Sequence, residues 1–381
     1  MSLSDIRREI DRIDSQLLPL FTARMECAKE VARIKKAEGL PVLNASREEE
    51  ILGRVSAQAG EYGDAARILY STLMDVSRAL QHDLLGGGNA LRERIRAAAG
   101  GTLPEPQALA CQGVPGSYSE EAASLLFPHN KPVFYKSFEE VFLAVRDGKA
   151  DYGILPVENS SAGSVSDVYD LILRHQFYLV GAVDLPIRHC LAAKPGVALE
   201  EIREVYSHPQ GLAQCADALH AMGLTAVPYS NTAAAAELVS REGGARAAIC
   251  SERAAREYDL AVLKQDVQDQ SGNCTRFIVI SRSLFLSDGA DKISLCFSLP
   301  HVTGSLYRTL ARFALGGLNL TKIESRPISG KRFEYLFYLD FTGNVLEEKV
   351  QNLLCALSDE MPCFTFLGNY REWSPEQAHK L

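Results

Sequence analysis

The sequence lacks any long apolar run. No stretch approaches the ~20 consecutive apolar residues that cross a bilayer, and the N-terminus alternates charges from Asp5 onward where a signal peptide would carry an apolar core. Membrane association and secretion are therefore not expected, and the cytoplasm is the expected compartment. Nine cysteines are present but scattered, with no C-x-x-C pair, which reads as reduced thiols rather than a disulfide framework. The eight histidines show no H-x-x-x-H or similar ligand spacing, so no metal is expected. Positive charge is also in short supply. A net charge of −8 and the lack of a basic run interleaved with aromatics argue against a nucleic-acid partner and leave room only for a local cationic pocket.

What remains is an ordinary globular composition, 46% apolar and 23% charged, over 381 residues. That length exceeds one typical domain of roughly 100–200 residues, so two or three cores are expected. In residues 4–38, Ile6, Ile10, Ile13, Leu17, Leu20, Arg24, Ala28, Val31 and Lys35 recur at spacings of three and four, which predicts one long helix stopped by Gly39 and Pro41. Ser46 and Glu49 form a candidate capping box for a second helix reaching about Gly60, and a third is predicted over 64–85. Residues 1–86 thus read as an all-α domain. The glycines at 86–88 end it, and 87–106, with a short basic helix and a Gly/Pro-rich stretch, reads as a linker.

Over 107–284 the pattern changes to short apolar runs (108–111, 152–155, 177–183, 204–206, 247–250) separated by helical stretches, which predicts an α/β domain. Residues 291–370 read as strand 292–299, helix 305–315, strands 319–325 and 333–341, helix 346–357 and strand 364–367. That is the βαββαβ order of an α+β, ferredoxin-like unit. Residues 371–381 read as a polar tail expected to fray.

A helix of ~35 residues is about 50 Å long, more than the width of so small a domain, so a second chain is expected to cover it. Arg24 and Lys35 lie on its apolar stripe, eleven residues and about three turns apart, on one face. Buried cations need anionic company: acidic side chains in a structural network, a ligand carrying carboxylates, or escape of the side chains to solvent. Arg47 and Glu48, with Ser77 and Gln81 one turn apart, offer further polar groups to such a pocket; taken alone, Ser77 and Gln81 read as exposed polar residues. Ile6-Arg7, Arg24, Lys35, Arg47-Glu48, Ser77 and Gln81 in this spacing resemble the all-helical chorismate mutases across residues 4–85. The resemblance implies two intertwined protomers and a Claisen rearrangement without a covalent intermediate, driven by holding the compact conformer and stabilising charge on the ether oxygen. It implies that Arg24 and a partner chain's Arg7 clamp carboxylates and that Lys35 and Gln81 face the ether oxygen. Asn44, Arg47, Glu48 and Ser77 would line the remainder, with Asn44 standing where many relatives have aspartate.

Four loop segments in the α/β domain carry polar residues at strand-to-helix or loop-to-strand turns: Gly113-Val114-Pro115-Gly116-Ser117-Tyr118-Ser119, Glu158-Asn159-Ser160-Ser161, Ser207-His208-Pro209-Gln210 and Asn273-Cys274-Thr275-Arg276-Phe277. Taken singly, each fits helix capping as well as ligand binding. In this order they resemble the prephenate dehydratase family from about 109 to 281. That resemblance implies a two-lobed fold similar to periplasmic binding proteins with substrate in the cleft, and loss of carbon dioxide and hydroxyl driven by aromatisation. It implies Thr275 as proton donor or relay, Asn159, Ser160, Ser161 and Gln210 as holders of the carboxylates and hydroxyl, and Glu158 and Arg276 nearby. Cys274 lacks an acyl-transfer constellation, and His189 and His208 read as structural.

Gly304-Ser305-Leu306 and Glu324-Ser325-Arg326-Pro327 resemble the amino-acid-binding ACT domains attached to prephenate dehydratases, with Ser305 in place of a more usual alanine. This implies phenylalanine held by these seven residues where two such domains meet. The combined expectation is an isomerase and lyase taking chorismate through prephenate to phenylpyruvate without cofactor, as a homodimer or larger, under feedback by phenylalanine. The alternatives are an arogenate dehydratase, whose substrate differs by an amino group, and a non-catalytic ligand sensor.

Overall fold

The computed structural model describes residues 2–85, 89–101, 103–287, 289–328, 330–331 and 334–374. The glycines at 86–88, residue 333 at the start of an expected strand, and 375–381 of the expected tail lie outside the described residues. The chain divides into two compact units, Met1–Ala99 with Ile293–Phe366 and Gly100–Lys292 with Leu367–Leu381.

The first unit opens on helices α1 (Leu3–Glu38), α2 (Ala45–Gln58), α3 (Gly63–Leu85) and α4 (Asn89–Ala98). A capping box starts α1: Ser2 Oγ accepts from Asp5 N–H at 3.2 Å, and Asp5 Oδ2 accepts from Ser2 N–H at 2.8 Å. Gly39, at φ 66°, ends it in the left-handed conformation. Pro19 sits inside the helix and removes one rung of its ladder, which the many remaining rungs tolerate. Only Met25, Ala28 and Ala32 of α1 are buried, against α3. Ile6, Ile10, Ile13, Leu17 and Leu20 form an exposed apolar face over its first half. The cap of α2 is Asn44, whose Oδ1 accepts from Arg47 N–H at 3.1 Å, and not Ser46, whose hydroxyl donates to that same Oδ1 at 3.0 Å. Asparagine holds its acceptor at the geometry the first turn requires, so the cap lies two residues earlier than the serine implied. Helix α4 falls inside the stretch expected as a linker, yet Leu91 and Ile95 are buried and Arg92 Nη1 donates to Gln351 Oε1 at 2.8 Å.

The second unit has two lobes. The first runs β1 (Leu109–Gln112), α5 (Tyr118–Leu126), β2 (Pro132–Tyr135), α6 (Phe138–Arg146), β3 (Tyr152–Asn159), β4 (Gly163–Ser164), α7 (Ser166–His175) and β5 (Tyr178–Pro186). The chain then builds the second lobe from β6 (Cys190–Ala193), β7 (Glu204–Ser207), α8 (Pro209–Ala213), α9 (Ala216–Ala221), β8 (Thr225–Pro228), α10 (Thr232–Glu242), β9 (Arg246–Cys250), α11 (Glu252–Glu257) and β10 (Ala261–Lys264). Strand β11 (Cys274–Ser281) returns to the first lobe between β5 and β3. Leu109, Ile154, Val183, Phe277 and Val279 are buried in the first core, each worth roughly 1.5–3 kcal/mol of burial. The second core is rich in alanine, with Ala233, Ala235 and Ala236 of α10 buried against Ala192 and Ala248 of the sheet, so helix and strands approach closely. Gly116, at φ 79°, is required where the lobes touch, since a Cβ there would lie 2.8 Å from Ala254 Cα.

The remaining elements are β12 (Lys292–Ser298), α12 (Ser305–Leu315), β13 (Leu320–Pro327), β14 (Tyr335–Thr342), α13 (Glu348–Glu360), β15 (Phe364–Tyr370) and β16 (Glu372–Trp373). The four longer strands form one sheet in the order β13-β14-β12-β15, which with the βαββαβ connection is a ferredoxin-like arrangement. Contacts of α12 and α13 with α3, and of α13 with α4, make this sheet's helices part of the same unit as the N-terminal helices. The stretch expected to fray does not do so at its start: β16 pairs with β5, Glu372 opposite Ala182 and Trp373 opposite Val183.

Candidate active sites

Three of the residues expected at the helical site meet in one cluster. Arg24 of α1 donates from Nη1 to Ser77 Oγ at 2.6 Å and to Leu73 O at 3.2 Å, and Gln81 Nε2 donates to Ser77 O at 3.2 Å. Gln81 Oε1 is buried with no hydrogen-bond partner among the described residues, an acceptor that a bound donor would satisfy. Lys35 Nζ donates to Val42 O at 2.5 Å. Burial pushes the Lys35 ammonium below its usual range, Glu48 pulls it back, and Arg78 adds to the depression, so these three charges share one neighbourhood.

Arg47 is not brought to this cluster. It is exposed and donates from Nη1 to Glu50 Oε1 at 2.5 Å, because its position on α2 turns it outward. Arg7 is also exposed, seventeen residues from Arg24 along the same helix and about 25 Å away, so within one chain it serves no site with Arg24. The Asn44 side chain is engaged in capping α2. Arg78 is the residue that sequence reasoning missed. Its guanidinium binds both Glu48 and Asp75 with its side chain 12% exposed. Met74, Ser77, Arg78, Gln81 and His82 fall at helical spacing, and polar residues on that inward stripe were the available signal.

In the second unit a cleft of about 400 Å³ separates the lobes, lined by Asn159 and Thr275 from the first lobe and by His208, Gln210, Gln214 and Asn231 from the second. Thr275 of β11 pairs in register with Asn159 at the end of β3. Asn159 Nδ2 donates to Thr275 Oγ1 at 2.9 Å and to Asn273 Oδ1 at 2.8 Å. Its Oδ1 accepts from Ser161 N–H at 3.0 Å, Ala162 N–H at 2.9 Å and, from the opposite lobe, Gln210 Nε2 at 3.3 Å. The amide orientation of Asn159 is therefore fixed, and it links the lobes across the cleft floor.

Ser160 and Ser161 shape the loop. Ser160 Oγ accepts from Cys274 N–H at 3.0 Å, Ser161 Oγ donates to Asn273 Oδ1 at 3.4 Å, and neither lines the cleft. Glu158 and Arg276 do not line it either. Alternation along β11 turns Arg276 to the other face, where it makes a bidentate pair with Asp184 at 2.7 and 2.8 Å and reaches Glu372 at 2.7 Å and Glu158 at 3.9 Å. Asn273 belongs to the same segment as Thr275. Its Nδ2 is buried without a partner among the described residues, beside the groups that hold Thr275.

His208 caps α8, accepting at Nδ1 from Gln210 N–H at 3.2 Å. His189 is buried between Tyr118 OH at 3.1 Å and Gln214 Oε1 at 3.0 Å and lines the cleft. Burial lowers its pKa, with Gln214 offsetting part of the shift, so it is held neutral. The Cys274 thiol is pushed up by burial and by Asp184, the reverse of what an activated nucleophile needs.

Gly304, at φ 79°, precedes Ser305 and Leu306 at the start of α12, and Glu324 to Pro327 lie on the edge strand β13. Gly304 lines a cavity of about 1110 Å³ with Glu49, Arg67 and Ser71 of the N-terminal helices, and Ser305 lines a neighbouring one of about 280 Å³ with Glu48, Asp75 and Arg78.

One unit thus carries a fixed polar floor between two α/β lobes, and the other carries a cluster of cations among its helices. The family model of prephenate dehydratase matches residues 109–284, and that of chorismate mutase type II matches residues 6–82. Arogenate dehydratase/prephenate dehydratase 2, chloroplastic, of Arabidopsis thaliana is 42% identical over 274 residues, covering 69% of this chain and 72% of the relative. Two solved structures share a TM-score of 0.64: the prephenate dehydratase of Arthrobacter aurescens in complex with L-Phe, 32% identical over 69% of this chain and 89% of that one, and GqqA, described as a novel type of quorum-quenching acylase, 31% identical over 70% and 98%. The chain belongs to the prephenate and arogenate dehydratase family and carries a chorismate mutase type II domain ahead of its dehydratase domain.

Proposed function

We propose that the protein rearranges chorismate to prephenate at the helical site and converts prephenate to phenylpyruvate in the cleft. The observation that carries the second step is the fixed Asn159 amide. Since Thr275 Oγ1 accepts from Asn159, the threonine's own proton is free to point elsewhere, and the cleft lies in front of it. In the reaction the ring–carboxylate bond breaks, its electron pair enters the ring, and the ring C–OH bond breaks with transfer of a proton to the departing oxygen. Carbon dioxide and water leave. Aromatisation supplies the drive, so a threonine hydroxyl fixed in orientation suffices as donor or relay. Gln210, which lines the cleft, holds a carboxylate or the hydroxyl of the substrate, and Asn273, Ser160 and Ser161 support the loop that fixes Asn159.

At the helical site no proton moves. Arg24 holds a carboxylate, and Lys35 and the Gln81 amide N–H face the ether oxygen as its bond to the ring breaks and the enolpyruvyl methylene carbon bonds to the ring in the same step. The exposed apolar face of α1 is the surface a second copy covers, and the partner's Arg7 completes the site. Phenylalanine is the effector, held by the loop at Gly304, Ser305 and Leu306 and the strand segment from Glu324 to Pro327. Calorimetric titration of phenylalanine into the full chain and a chain lacking 286–381 tests this: binding by the full chain alone supports the site, and equal binding by both moves it to the cleft.

A second substrate reading rests on the relatives named arogenate dehydratases. Arogenate presents an amino group where prephenate presents a ketone. Turnover rates for the two compounds, measured side by side, decide between them.

A further inference from the structure

Arg78 is surrounded by three carboxylates, of which only two come from the helical domain. Besides Glu48 and Asp75, its Nε lies 3.6 Å from Glu360 Oε2, at the last residue of α13 in the βαββαβ unit. Glu360 is itself held from two further sides. Arg312 of α12 donates to it from Nη1 at 2.7 Å, and His82 of α3 sits with Nε2 2.7 Å from its Oε1. Its side chain is 11% exposed and that of Asp75 5%, so this is a largely dehydrated network in which each charge is set by the others. The carboxylate it reaches towards the substrate site is Glu48, which shares its neighbourhood with Lys35.

We propose that Glu360, supplied by the βαββαβ unit, is a positioning residue for the chorismate mutase site, acting through Arg78 on Glu48. This rests on the mutase reading given above. Arg78 cannot satisfy three carboxylates equally, two of them almost buried and Glu48 a quarter exposed, and Glu360, anchored by Arg312 and His82, sets how its guanidinium is divided. Without Glu360, Arg78 turns wholly to Glu48 and Asp75, and the Glu48 carboxylate is drawn further towards Arg78. The helical domain is therefore incomplete without the sheet that follows the dehydratase, although nearly three hundred residues separate Arg78 from Glu360.

The test uses the full chain with Glu360→Ala, Glu360→Asp and Arg78→Met, assayed with chorismate and, in the same preparations, with prephenate. Residues in one network couple strongly, so Glu360→Ala is expected to lower kcat for chorismate about tenfold with KM changed less than about twofold. Glu360→Asp should recover most of the loss, and prephenate turnover should stay within about twofold of wild type. Glu360→Ala added to Arg78→Met should change kcat no further, because its effect passes through Arg78. A Glu360→Ala chain with wild-type chorismate turnover, a parallel loss of both activities, or additive effects in the double variant would each overturn the proposal. A wild-type chain that does not consume chorismate would overturn the mutase reading itself, a result distinct from an active wild type matched by an equally active Glu360→Ala.

Discussion

Asn159 Nδ2 donates to Thr275 Oγ1 across 2.9 Å, joining the ends of two neighbouring strands and leaving the threonine proton free. Thr275→Val keeps the shape and removes the hydroxyl. It should lower kcat for prephenate by roughly 10²–10⁴, the range for loss of a positioned proton donor, with chorismate consumption unchanged and prephenate accumulating. Thr275→Ser should retain part of the activity. Normal phenylpyruvate formation by the valine variant would remove Thr275 from the mechanism.

Arg24 spans the gap between α1 and α3 to reach Ser77. Arg24→Ala should cost the mutase roughly 10²–10³ in rate, as expected for loss of one preorganised charge, and leave prephenate turnover intact because the two sites lie in separate units. Spectrophotometric loss of chorismate reads the first effect, and phenylpyruvate formation from added prephenate reads the second.

Glu372 joins Arg276 at 2.7 Å and Lys292 at 2.9 Å, tying the strand after the last sheet to the residue beside Thr275. Glu372→Ala takes a carboxylate from two cations, one of them almost fully buried. The pair is about a fifth exposed, so solvent tempers the loss, which should be about 1–3 kcal/mol, visible as a fall of a few degrees in the melting transition of this unit. Glu372→Gln should cost less. An unchanged transition would show that the ion pairs contribute nothing.

His189 and His208 both have pKa values lowered by burial from about 6.5. A histidine held neutral in the folded chain takes up protons on unfolding, so its contribution is present above pH ~6.5 and lost as pH falls through the lower folded value. Stability of the dehydratase unit should therefore decline on acidification from pH 7.5 to 5.5, and His189→Gln should flatten that slope. Urea unfolding at several pH values measures it. A slope unaffected by the substitution would exclude His189 as its source.

Much of this was legible in the sequence, for reasons that differ by residue. The extent of α1 follows from its unbroken period and from Gly39, and the internal Pro19 did not override them. Thr275, Asn159 and Gln210 were found through short motifs whose order matched a family, and the structure brings them together. Arg276 and Glu158 sat in the same motifs, but the alternation of β11 and β3, with a register shift between Arg276 and Phe277, puts them on the opposite face from the cleft. Ser46 reads as the cap of α2, with Glu49 at capping-box spacing, but Asn44 two residues earlier takes that place. Arg78 has one partner, Asp75, only three residues away, but Glu48 and Glu360 are 30 and 282 residues off, and 96 residues separate Arg276 from Glu372. A buried ion network has no local pattern, only polar residues at inward positions.

The most direct test of the account offers chorismate, prephenate and arogenate separately to the purified chain and follows each product by chromatography. Chorismate is expected to be consumed with prephenate as a transient, and chorismate and prephenate are both expected to end as phenylpyruvate in equimolar yield. Consumption of arogenate alone, with chorismate and prephenate returned unchanged, would contradict it.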